Sequence, residues 1–147
     1  MSSTGIKIFD TTLQKTFVWL HAIMDETGVE NSQQAYSALR AVLHAIRDRL
    51  MVDEAMHLGA QLPMLIRGFY YEGWTRSGKP LKYRHKEDFV AEVSKNLPGL
   101  SDDDMELTIQ AVFKVLTHQI TGGEIDQVKQ QLPAGVRELW KEPVPGL

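Results

Sequence analysis

The sequence predicts an all-α fold, a single helical bundle built from two tandem pseudo-symmetric repeats of three to four helices each. Apolar residues recur at intervals of three and four, which is typical of helices with one buried face. Strand-like alternation never lasts beyond a few residues, and the second half of the chain repeats the first. With 147 residues and 43% hydrophobic content, we expect residues 1–147 to form one domain with its own core.

The internal duplication has an offset of 70 residues. Its period exceeds the roughly 34 to 47 residues of common helical solenoids, so we expect the two copies to pack around a shared core. Repeat one is predicted at about 10–74, a basic linker at about 75–86 and repeat two at about 87–141. The clearest matches pair Ala41-Val42-Leu43 with Ala111-Val112-Phe113, Gln61-Leu62-Pro63 with Gln131-Leu132-Pro133, and Arg67 with Arg137.

The first helix is predicted from about Asp10 to Thr27, before Gly28, which is typical of a helix end. Its apolar spacing predicts that one face packs on the core. That face consists of Leu13, Phe17, Leu20 and Met24.

One further helix in each repeat is predicted from an apolar spacing that is the same in the two copies. In repeat one the core face is Ala35, Leu39, Val42, Leu43, Ile46 and Leu50, and in repeat two it is Met105, Ile109, Val112, Phe113, Leu116 and Ile120. Residues whose side chains can cap a first turn are Asp10, Asn31 or Ser32, Asp53 and Ser101. We expect Gly122-Gly123 to end a helix.

Each repeat then contains a proline corner. Proline lacks an amide proton and fixes φ, so it is tolerated in a first helical turn and breaks a helix interior. Pro63 therefore predicts a short helix at about 53–61, a corner, and a second helix at about 63–72, and Pro133 predicts the same corner in repeat two.

A comparison of the two copies indicates a candidate binding surface. Met64, Arg67, Tyr71 and Trp74 are spaced so that a continuous helix would place them in one stripe. In repeat two the large side chains of Met64, Tyr71 and Trp74 are replaced by Ala134, Lys141 and Val144. Such a stripe suits a protein contact or a flat ligand. Coverage by the linker or the other repeat is the alternative.

Arg67 and Arg137 form the second candidate site, because the duplication relates them. If both face one cleft, they would bind a carboxylate or phosphate between the repeats. Alternatively, each arginine bonds helix C-terminal carbonyls or an acidic neighbour in its own repeat.

No metal centre, cofactor or catalytic residue is predicted. Glu54-x-x-His57 resembles half of a di-iron carboxylate site, but the corresponding residues are Glu124 and Gln127, so the second histidine is missing. Glu54 and Glu124 are then explained as acids of a first helical turn. The absence of cysteine excludes thiolate metal sites and cysteine nucleophiles, and no catalytic sequence motif is present.

Composition and charge limit the classes of partner that the protein is expected to bind. A net charge of −3 with one short basic segment disfavours nucleic acid. No apolar run approaches the roughly 18 residues of a membrane span, and the start MSSTGIKIFD does not resemble a signal peptide. We therefore expect a cytoplasmic protein that does not contact a membrane and whose partner is another protein, a second copy of itself, or a small anionic ligand.

Several strings resemble the bacterial domain of unknown function 2267 family over about residues 13–140. They are Arg40-Ala41-Val42-Leu43-His44, Gln61-Leu62-Pro63, Arg67-Gly68 and Tyr70-Tyr71-Glu72-Gly73-Trp74. The resemblance implies a small, duplicated, all-helical bacterial domain. It implies no activity and no functional residues.

The leading functional hypothesis is a non-catalytic protein-interaction or ligand-binding module that uses the stripe of Met64, Arg67, Tyr71 and Trp74. The alternative is an enzyme or small-molecule sensor that binds an anion between the repeats at Arg67 and Arg137.

Overall fold

The predicted all-α class is confirmed by the computed structural model, which describes residues 3–141. Within this range the chain forms eight α-helices and no strand. The helices are α1 (Lys7–Thr27), α2 (Ser32–Arg49), α3 (Val52–Gln61), α4 (Met64–Tyr71), α5 (Lys86–Ser94), α6 (Asp102–Gln119), α7 (Gly122–Gln130) and α8 (Ala134–Leu139).

Helices α2 and α6 form the centre of the bundle. They contact each other, and α2 also packs against α1, α4 and α5, while α6 packs against α1, α5, α7 and α8. Every apolar residue predicted for the core faces of these two helices is buried. Their long apolar faces therefore supply the surface on which α1, α4, α5, α7 and α8 pack.

Three helices of the first half have counterparts that begin 70 residues later. The starts are residues 32 and 102 for α2 and α6, 52 and 122 for α3 and α7, and 64 and 134 for α4 and α8. These positions agree with the offset in the sequence. The pseudo-symmetric relation between the two halves stays a prediction.

The predicted core face of α1 is confirmed in part, because Leu20 is buried and Met24 packs against the core, but it was wrong for Phe17. Phe17 is 39% exposed, and the residues that α1 buries are Thr12, Thr16, Trp19, Leu20 and Ile23. The threonines can be buried because their hydroxyls are satisfied: Thr16 Oγ1 donates to the carbonyl of Thr12, and Thr12 Oγ1 accepts from the amide of Leu65. The buried face of α1 therefore includes Trp19 and Leu20 but not Phe17.

Two predicted helix caps are confirmed. The side chain of Asn31 accepts a hydrogen bond from the amide of Gln34, and Ser101 accepts one from Asp104. Asp10 and Asp53, in contrast, lie inside the first turn of their helices. Their negative charges are stabilised by the positive end of the helix dipole, although their side chains do not cap the helix.

Gly122 and Gly123 were wrongly expected to end a helix. The preceding helix ends before them with Ile120 as its C-cap, and Gly122 is the first residue of α7. Gly28 does end α1, with a φ of 77° in the left-handed region that glycine favours.

The basic segment between α4 and α5 packs against the end of α2. The amide of Leu81 donates to the carbonyl of Asp48, and Arg49 Nε donates to the carbonyl of Tyr83. The Arg49 guanidinium also lies 5.3 Å from the centre of the Tyr83 ring, a cation–π contact. These contacts hold part of the segment against the bundle.

Basic side chains of α2 hold the C-terminal end of α4. Buried Arg47 donates through Nη1 to the carbonyls of Tyr70 and Glu72, and His44 Nε2 lies 2.7 Å from the carbonyl of Phe69. Burial lowers the pKa of His44, which favours the neutral ring with a proton on Nε2. Carbonyls that α4 cannot satisfy internally therefore find donors on α2.

Replacing Arg47 with Met should lower the free energy of unfolding by about 2–4 kcal/mol, because the carbonyls of Tyr70 and Glu72 would lose their buried donor. Urea denaturation measures this change. The matched control is Arg40→Met on the same helix, which removes an exposed ion pair with Glu72 and should cost less than about 1 kcal/mol. Equal losses in the two variants would contradict the role assigned to Arg47.

Candidate functional site

The first proline corner is closed by an arginine. Pro63 follows the C-cap residue Leu62, and its ring nitrogen cannot donate to the end of α3. Arg67, one turn into α4, supplies the missing donors. Its Nε donates to the carbonyl of Gly59 at 2.9 Å, and its Nη2 donates to Leu62 at 2.8 Å and more weakly to Ala60 at 3.4 Å.

The second corner is closed in the same way. Arg137 Nη1 donates to the carbonyl of Leu132 at 2.7 Å and more weakly to Lys129 at 3.5 Å, and Pro133 precedes α8. The observed contacts are thus the carbonyl bonds that the sequence offered as the alternative to an anion clamp. They explain why both corners carry proline and, four residues later, arginine.

The predicted stripe is divided by the end of α4. Met64 is 41% exposed and Arg67 is also exposed, whereas Tyr71 and Trp74 are half-buried against the core. Helix α4 ends at Tyr71, and Gly73 has a φ of 77°, which turns the chain before Trp74. The stripe is therefore not one helical face.

Tyr71 lies directly over Gly59 of α3. A Cβ atom at residue 59 would lie 2.2 Å from the Tyr71 hydroxyl oxygen and 2.6 Å from Cζ of the ring. On its other side the ring lies 4.9 Å from that of Tyr70 and 5.7 Å from that of Trp74. Tyr71 and Trp74 therefore pack against the protein itself.

Met64 and Arg67 line a groove of about 480 Å³, which we call the cationic groove. Helix α1, the corner between α3 and α4, and the end of α6 form its walls. The remaining lining residues are Lys15, Val18, Trp19, Ala60, Gln61, Leu62, Pro63 and Gln119. Arg137 is not among them, so the cationic groove does not bring the two corner arginines together.

Two buried carboxylates meet where α3 packs against α7. Glu54 is 8% exposed and Glu124 is 9% exposed, and within residues 3–141 Oε2 of each has no hydrogen-bond partner. Burial, then the hydrogen bond that a protonated carboxyl forms with Glu54, then repulsion from the Glu54 charge raise the pKa of Glu124 to about 8. At neutral pH the pair therefore favours holding one proton.

His57 completes a group of three potential metal ligands. One ligand atom each from Glu54, His57 and Glu124 lie within 4.8 Å of one another. The Glu54-x-x-His57 spacing alone does not predict this cluster, because Gln127 stands where a second histidine would complete the di-iron pattern. The signal that could have found the cluster is that Glu54 and Glu124 are themselves separated by the duplication offset of 70 residues.

The fold and these two sites define a small all-α domain with a cationic groove and a buried carboxylate pair. The chain belongs to the family described as an uncharacterized conserved protein, DUF2267, which it matches over residues 17–139. This match confirms the family suggested by the sequence strings. A search of curated proteins found no match to the chain.

Among residues 3–141, no helix combines the length and the apolar character that crossing a bilayer requires.

Replacing Arg67 or Arg137 with Lys should lower the free energy of unfolding by about 1 kcal/mol. A lysine keeps the charge, but it cannot reproduce the fixed fork of N–H donors at each corner. Urea denaturation of each variant measures the change. Arg76→Lys, in the exposed part of the linker, is the control. A stability loss no larger than that of Arg76→Lys would contradict the corner role.

Replacing Glu124 with Gln should stabilise the chelator-treated protein. The gain in the free energy of unfolding should grow as the pH rises from 4.5 to 8. Below pH 4.5 Glu124 is protonated in both the folded and the unfolded protein, so it does not lower the free energy of unfolding. As the pH rises toward 8, the carboxyl ionises in the unfolded chain before it does in the folded one, so the wild type loses stability.

The gain at pH 8 should be roughly 1–3 kcal/mol, the cost of a buried polar group without a partner. Urea denaturation at pH 5 and pH 8 measures it. Asp126→Asn, an exposed carboxylate of the same helix, should show no such pH dependence. A gain for Glu124→Gln that is equal at both pH values would refute the raised pKa.

Proposed function

We propose that the protein is a non-catalytic binding module that takes a small amphipathic anion in the cationic groove. The ligand is a carboxylate or phosphate that carries an apolar group. One observation carries the proposal: Lys15 and Arg67 line the groove, and no carboxylate lines it. In the described part of the chain neither cation forms an ion pair within 4 Å, so their charges are available to a ligand.

The guanidinium of Arg67 is both fixed and partly unused. Its Nε and Nη2 are held by the corner carbonyls, while Nη1 has no hydrogen-bond partner among residues 3–141. A donor fixed in this way loses little conformational entropy when it binds an anion. Lys15, on an exposed part of α1, supplies a second and more adaptable charge.

Apolar side chains beside the two cations support an amphipathic ligand. Val18 is 56% exposed and Met64 is 41% exposed, and the nearly buried Trp19 also lines the groove. Contact with a hydrocarbon or aromatic group would remove this apolar surface from water. The volume of about 480 Å³ falls within the range of roughly 300–1,000 Å³ that is common for small-molecule sites.

The chemistry of the lining favours binding over catalysis. It includes no histidine, serine, cysteine, aspartate or glutamate. Its charged side chains are those of Lys15 and Arg67, both cations. The groove therefore lacks the paired acid and base that proton-transfer catalysis uses.

Contact with another protein is the second candidate function. Phe17 is 39% exposed on α1, and Leu65 is 42% exposed on α4, which packs against α1. Exposed apolar residues on neighbouring helices are typical of interaction surfaces. In that case the small anions would not bind at one site per chain. Where the partner is a second copy of the chain, sedimentation would also show a concentration-dependent increase in mass.

The binding proposal can be tested with two probes, 8-anilinonaphthalene-1-sulfonate and octanoate, which each combine an anionic and an apolar group. The sulfonate should bind at one site per chain with a rise in its fluorescence, and octanoate should displace it. Lys15→Gln should weaken binding about fivefold, the factor that corresponds to about 1 kcal/mol.

Lys7→Gln is the matched control, because Lys7 is an exposed lysine of the same helix outside the groove. It should bind the sulfonate as the wild type does. The proposal fails if binding does not saturate, or if the two lysine variants bind equally well.

A further inference from the structure

A second site lies at the contact between α3 and α7, apart from the cationic groove. Glu54 and His57 are one turn apart on α3, and Glu124 is in the first turn of α7. The atoms His57 Nδ1 and Glu54 Oε2 are 4.0 Å apart. The packing of the two helices, rather than any local motif, brings the third ligand to the first two.

Two buried carboxylate oxygens at this contact lack the partner that a bound cation would provide. Oε2 of Glu54 and Oε2 of Glu124 are both inaccessible to solvent and lack a hydrogen-bond partner within residues 3–141. Glu54 as a whole is more than nine-tenths buried. Buried polar atoms in proteins are nearly always paired, and a cation would satisfy both oxygens at once.

Charge and ligand type indicate which cation fits. Once the shared proton is displaced, the two carboxylates with a neutral imidazole carry a charge of −2, which a divalent ion balances. Imidazole nitrogen together with carboxylate oxygen suits first-row transition metals such as Zn²⁺, whereas Mg²⁺ and Ca²⁺ prefer oxygen ligands alone. The side chain of His57 is 68% exposed, so the ion can reach the buried glutamates from solvent.

We propose that Glu54, His57 and Glu124 together bind one divalent first-row transition metal ion. Tetrahedral ligands of Zn²⁺ lie about 3.3 Å apart when the bonds are about 2.0–2.1 Å. The three ligand atoms are within 4.8 Å of one another, so shifts of the three side chains by about 1 Å toward an ion would bring them to that spacing. Three protein ligands leave the ion at least one open coordination position.

Isothermal titration of the chelator-treated full chain with ZnCl₂ at pH 7.5 tests this proposal, and elemental analysis gives the bound metal. One Zn²⁺ per chain is expected, and Mg²⁺ should bind at least tenfold more weakly. Glu124→Gln and His57→Asn should each weaken Zn²⁺ binding at least tenfold. The Glu124→Gln variant should stay folded because it removes a buried charge, and circular dichroism checks this.

His21→Asn is the control, because His21 is an exposed histidine of α1 away from the three ligands. It should bind Zn²⁺ as the wild type does, and Zn²⁺ should raise the melting temperature of both proteins. The site is refuted if no stoichiometric binding occurs or if Glu124→Gln binds normally. Normal binding by His57→Asn would overturn the three-ligand assignment, and equal affinity for Mg²⁺ would overturn the transition-metal class.

Discussion

The satisfaction of backbone carbonyls at the ends of short helices is the constraint on which the rest of this structure depends. An α-helix leaves its last carbonyls without internal partners, and helices of six to ten residues expose a large share of them. Arginine side chains supply the donors at three such ends. Arg67 and Arg137 close the proline corners, and buried Arg47 holds the end of α4.

The same constraint positions the candidate binding groove. Because Arg67 is held by the carbonyls of its corner, its remaining N–H donors have a fixed place beside α1. Recognition groups on rigid elements are more precise than groups on loops. The arginine that completes the fold therefore also provides an ordered charge at the surface, so structural and binding roles need not exclude each other.

Much of the fold could be predicted from the sequence because α2 and α6 carry regular apolar faces and the prolines mark the corners. The complete set of buried residues on α1 could not be predicted, because burial of Thr12 and Thr16 depends on hydrogen bonds that form only in the folded chain. The carboxylate pair was missed for a similar reason. Periodicity predicts which face of α3 is buried, but not that Glu54 meets Glu124 on another helix.

The stacking of Tyr71 on Gly59 couples two residues from consecutive helices. No side chain larger than hydrogen fits at residue 59 while the ring stays in place, so the positions cannot diverge independently. A lineage that acquires alanine at 59 has to move the Tyr71 ring aside, accept a smaller residue at 71, or shift α4 relative to α3. The last of these routes would displace the corner that carries Arg67 and so alter the shape of the cationic groove.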